Sequence, residues 1–134
     1  MMRFAIAYLV SLLAFLAIDF VWLTRVARRL YVENLGGLLL DKPRLGAAAA
    51  FYLLYGVGIV VFAVMPSLKT GSFSPALLYG GLFGFLAYAT YDMTNYATLK
   101  NWPFHLALID MAWGAAVTAL SAGAGYLVTR MIVP

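Results

Sequence analysis

Four long apolar runs, parted by short polar stretches, set the pattern of this chain. The first, about residues 4–24, is broken only by Ser11 and Asp19, and the second, about 47–65, carries no ionisable group except tyrosine. The third and fourth cover about 75–99 and 103–130, each opening on a proline suited to a first helical turn. Each run is close to or beyond the ~20 residues a helix needs to cross a bilayer. The last two exceed it, so tilt or protrusion is expected. Residues 66–74 form a short turn rich in Ser, Gly and Pro. Lys100-Asn101-Trp102 is so short a link that runs three and four must form an antiparallel hairpin.

The longest polar stretch, Arg25 to Leu45, holds most of the charge. Within it Val26, Leu30, Leu35 and Leu38 recur at roughly helical spacing against Arg25, Arg28 and Arg29, the pattern of a helix lying among lipid headgroups. Gly36-Gly37 and Lys42-Pro43 are expected to interrupt it. The plainer reading is a solvated connection with basic anchors. The expected fold is therefore all-α, an integral membrane four-helix bundle with a long first connection that can lie as an interfacial helix, all within one membrane domain over 1–134. Arg3 ahead of an apolar run resembles a signal peptide, but the run outlasts a normal h-region and meets no clear small-residue cleavage site. It reads as a retained span.

Composition sharpens this picture. Hydrophobic residues are 65% and charged residues 10% of the chain, against about half and a quarter in ordinary soluble domains. With no cysteine and one histidine, disulfides, thiolate chemistry and multi-His metal sites are excluded. The net charge of +4 sits in connections rather than in a sustained patch, so no nucleic-acid partner is expected. Arg25, Arg28, Arg29, Lys42, Arg44 and Lys100 fall on one side of the membrane, and Arg3, Lys69 and Arg130 on the other. That bias puts the first connection in the cytoplasm and both termini outside.

Candidate chemistry lies inside the apolar runs. A carboxylate at mid-bilayer costs ~2.5–3.5 kcal/mol, so it needs a partner, a proton or a wet cavity. Asp19, Asp92 and Asp110 lie six residues before Arg25, eight before Lys100 and seven after Pro103. At helical rise these are depths of ~9, ~12 and ~10 Å from the same side. Tyr88, Asp92 and Asn95 share a stripe with Gly80 and Gly84, and Tyr91, Thr94 and Thr98 form the adjoining one. Asp110, Gly114, Val117 and Ser121 line a face of the fourth run, with Trp113 one turn from Asp110. Asp-x-x-Trp occurs twice, at Asp19–Trp22 and Asp110–Trp113, on helices of opposite direction. Plainer roles stand beside these: glycine stripes pack helices, Trp22 and Trp102 anchor at the interface, and threonines bond carbonyls one turn back. His105 near the membrane edge reads as an interfacial side chain before a catalyst. Three clustered acids cannot all stay ionised in a low dielectric, so binding or activity there should depend on pH.

The stretch Tyr91-Asp-Met-Thr-Asn-Tyr-Ala-Thr-Leu-Lys-Asn-Trp-Pro103, followed by Asp110-x-x-Trp-Gly114, resembles a family of small bacterial four-span membrane proteins known only as a predicted membrane protein domain of unknown function. The resemblance implies four helices and a bacterial inner-membrane location, and brings with it no assigned activity or cofactor. Three functions compete. The acids can serve a carrier or transporter of a small or lipid-like ligand, which expects at least a homodimer. They can serve an intramembrane enzyme acting on a lipid or isoprenoid, with Asp92 and Asp110 as acid and base helped by Asn95, Tyr91 or His105. Or the cluster only fixes helix packing in an accessory protein. The acids could also hold a magnesium-like cation, but their spacing matches no known metal motif.

Overall fold

A computed structural model describes residues 1–134. Four helices account for nearly all of them: α1 Met2–Leu38, α2 Leu45–Thr70, α3 Ser74–Thr98 and α4 Phe104–Ile132. No strand is present. By length and composition α1, α2 and α4 are apolar enough to cross a membrane. α3 is equally long, but its glycines, threonines, Asp92 and Asn95 make it more polar.

The hairpin of α3 and α4 is the closest-packed pair. A methyl group on Gly84 would collide with the Gly114 carbonyl and the Thr118 side chain, and one on Gly80 would stand 3.1 Å from the Ala119 Cα. Backbone therefore meets backbone, as small residues allow within membranes. The turn between them works because Asn101 takes a left-handed conformation, φ 61°, which Asn tolerates better than most side chains. Gly56 and Gly58 act differently from expectation. They receive the rings of Tyr8 and Phe83 instead of a neighbouring backbone. Phe15, Tyr55, Ile59, Val60, Val64, Val117 and Tyr126 fill the core. Leu9, Leu13, Leu54, Leu78, Leu82, Leu86 and Leu120 point outward and are exposed, as a lipid-facing surface requires.

Two helices run longer than their apolar patterns suggest, and each contains a π turn. In α1 the helix does not stop at Thr24 to release a separate connection. It passes through a π turn at Trp22–Val26, continues as an α-helix to Leu35 and closes in a 3₁₀ turn at Gly36–Leu38, where Gly36-Gly37 were expected to interrupt it, leaving only residues 39–44 as the link. The turn inserts one extra residue, shifting the later phase by ~100°. Tyr31 is twelve residues from Asp19, which alone would leave it ~120° round the helix. With one residue absorbed it returns to within ~20° of the Asp19 face. The buried positions beyond the turn are accordingly Ala27 and Leu35, while Val26 and Leu38 are exposed. The amphipathic stripe expected at Val26, Leu30, Leu35 and Leu38 is thus corrected at both ends: Ala27 takes the place of Val26, and Leu38 lies outside it.

In α2 the helix runs through Pro66 to Thr70, where the expected turn had already begun. Proline lacks the N–H that would bond one turn back and its ring crowds that carbonyl. The π turn at Val60–Val64 lies just before it and widens the helix there. Gly71, at φ 68°, then ends the helix in the left-handed conformation common at such ends. Arg130 donates to the Gly71 carbonyl at 3.1 Å and to the Tyr126 hydroxyl at 2.7 Å, tying this turn to the end of α4.

Candidate functional site

The inward stripes of three helices each deliver one acid. Asp19, Asp92 and Asp110 are all buried, at 6%, 1% and 6% exposure. They do not converge on one point, and no trio of acidic or histidine side chains closes round a common centre. The structure brings two together and sets the third apart.

Asp19 is fully supplied with donors. The Tyr52 hydroxyl donates to its Oδ2 at 2.8 Å and the Trp113 indole N–H to its Oδ1 at 3.1 Å. Trp22 stacks on Trp113 with ring centres 4.3 Å apart and planes 7° from parallel. The two Asp-x-x-Trp segments therefore meet in space, and Trp22 is a packing partner where an interface anchor was expected.

Asp110 accepts from the Tyr31 hydroxyl at 2.5 Å through its Oδ1. In the antiparallel hairpin Gly84 meets Thr118 and Tyr88 meets Gly114, so one turn further along Asp92 lies level with Asp110. Asp92 has no N–H or O–H donor, and its Oδ2 is sealed from solvent. Two carboxyl groups bond one another only with a proton between them, so this pair is a place where a proton can be held or given up. Tyr88 is half-buried, with its ring against Gly114.

Two cavities flank the carboxyl pair. The first, about 280 Å³, lies between Phe51 of α2, Ala87, Tyr88 and Tyr91 of α3, and Asp110 of α4. The second, about 430 Å³, lies beneath the far end of α1. Arg28, Tyr31 and Leu35, Leu40 of the link, Asp92 and Trp102 are among the residues that line it. Tyr91 borders both. Trp102 is 8% exposed, packed against Leu35 and Leu106 with Tyr91 edge-on to its ring, and its indole N–H has no partner. It too is buried where an interfacial anchor was expected.

The remaining sequence candidates lie elsewhere. Thr94 and Thr98 are exposed and bond carbonyls of their own helix, Thr94 to Thr90 and Tyr91, Thr98 to Thr94 at 2.8 Å. His105 is exposed on the first turn of α4, and Asn95 is half-buried one turn beyond Asp92. The polar partners missing from the sequence-based set are Tyr31, Tyr52 and Arg28. Tyr31 carried a signal only to a reader who allowed for the π turn. Tyr52 was one tyrosine among nine.

Long apolar helices with buried carboxyls between them define a multi-pass membrane protein. The chain belongs to the family described as predicted membrane protein (DUF2177), whose match spans residues 4–127. Comparison with curated proteins and with solved structures gives no match.

Proposed function

We propose that this protein binds, and in binding carries, a small or lipid-like ligand at the Asp92–Asp110 carboxyl pair, deep among its helices. The observation that carries this reading is the position of the pair. Each acid borders a different cavity, and Asp92 is left without a protein donor although it is almost completely buried. A buried acceptor without a donor costs about 1–3 kcal/mol, a cost that a ligand or a shared proton removes. The two cavities fall near or within the ~300–1,000 Å³ usual for small-molecule sites and are walled mostly by apolar and aromatic side chains. The aromatic and aliphatic walls suit an apolar body, and the acids suit a hydroxyl or another donor.

A purely structural role fits Asp19, both of whose oxygens are satisfied, but not Asp92. An enzymatic role would give the pair acid and base work on a lipid or isoprenoid, and no activated nucleophile adjoins it. On this reading the protein resides in the cytoplasmic membrane of a bacterium, with the link of residues 39–44 in the cytoplasm and both termini in the periplasm. Homo-oligomerisation would thicken the thin wall that four helices provide. The test is extraction of small molecules and lipids that copurify with the native protein, compared with Asp92→Asn. The isosteric amide is expected to insert and fold normally but to lose the bound species. An Asp92→Asn protein that retains the same species in the same amount overturns the proposal.

A further inference from the structure

Two residues in the wall of the second cavity carry polar atoms that the protein leaves unanswered. One is Asp92, 1% exposed and lacking any donor; the other is the Trp102 indole N–H, lacking any acceptor in a residue 8% exposed. Both residues line the same cavity, and so does Arg28, an exposed residue whose guanidinium is permanently charged. The rest of the wall is apolar, from Leu23, Val32, Leu35, Leu39, Leu40 and Pro43, save for Tyr91 and for Tyr31, whose hydroxyl is given to Asp110. Arg29, one residue along, turns away and pairs with Glu33 at 2.7 Å on the outer face, so it does not neutralise the cavity.

An indole N–H donates only, and an acid without a donor needs one. A hydroxyl is the simplest single group that answers both, accepting from Trp102 while donating to Asp92. An ammonium cannot accept, and a methyl ester cannot donate. The guanidinium at the rim asks for an anion, best a phosphate that it can hold through two N–H groups. Apolar walls ask for acyl chain. Resting on the reading above, we infer that this cavity takes the headgroup of an anionic, hydroxylated phospholipid of the phosphatidylglycerol type, its phosphate on Arg28 and its hydroxyl between Trp102 and Asp92.

Native mass spectrometry of the detergent-solubilised full chain, titrated with defined lipids, tests this. Phosphatidylglycerol is expected to bind about tenfold or more tightly than phosphatidylmethanol, which keeps the phosphate charge but lacks the hydroxyls. Phosphatidylethanolamine should bind more weakly still, and soluble glycerol 3-phosphate, which lacks the chains, should not bind measurably. Arg28→Gln, at an exposed position, should weaken phosphatidylglycerol and phosphatidylmethanol alike by about tenfold. Trp102→Phe keeps a ring in place and should erase the difference between those two lipids. Equal binding of all three lipids in the unmodified protein, lost in Asp92→Asn, overturns the headgroup assignment and leaves the carboxyl site standing. Equal binding that Asp92→Asn does not change overturns both. Tight binding of glycerol 3-phosphate alone overturns the lipid and points to a soluble phosphate ester.

Discussion

Asp19 and Asp92 are the same side chain at similar burial, and their neighbours give them opposite roles. Asp19 accepts from Tyr52 and Trp113 and so cross-links α1, α2 and α4. Trp113→Phe removes one donor and strands a buried oxygen, which should destabilise the protein by about 1–3 kcal/mol, read from unfolding in mixed micelles. Asp92 accepts from no N–H or O–H of the protein, so the unfolding midpoint of Asp92→Asn should scarcely move. The difference was not legible in the sequence. An acid within an apolar run announces itself by its cost, and all three were visible on that ground. Which of them is satisfied depends on tyrosine hydroxyls arriving from other helices, such as Tyr52 from thirty-three positions away. No local spacing encodes that.

At the level of the helices, the π turn of α1 decides whether a site exists. Residues beyond it keep the inward face begun by Ser11, Phe15 and Asp19 only because one residue is absorbed there. Deleting Thr24, an exposed residue within the turn, should restore ordinary helical phase and swing Tyr31 and Leu35 by ~100°. The check is a cross-link. With no native cysteine, the double substitution Leu35→Cys and Leu106→Cys should form a disulfide readily in the parent chain and fail to form it in the deletion. A cross-link of equal yield in both would show that the turn does not set the face. The helices themselves were legible, since apolar length and the placement of Pro75 and Pro103 fix where α3 and α4 start to within a residue. Their continuation was not. The charges of Arg25, Arg28 and Arg29 resemble a loop, although they ride on a helix that runs on to Leu35, and Pro66 resembles a stop although a widened turn accommodates it.

For the molecule as a whole, α1 has 37 residues, so at ~1.5 Å each it measures ~55 Å and outreaches a bilayer core of ~30 Å. Its surplus carries Arg28 and one wall of the larger cavity. On the proposed orientation that surplus lies in the cytoplasm. Single substitutions Lys42→Cys and Ser72→Cys, treated on intact cells with a membrane-impermeant maleimide, should leave the first unlabelled and the second labelled. The reverse pattern would invert the topology. The close seam of Gly84 on Gly114 has a further consequence. Because no side chain separates α3 from α4 there, those two helices have no slack with which to part and behave as a door frame. On the proposed function, the leaf that moves is the far end of α1 with its six-residue strap, and a ligand bound for the larger chamber is admitted from that side.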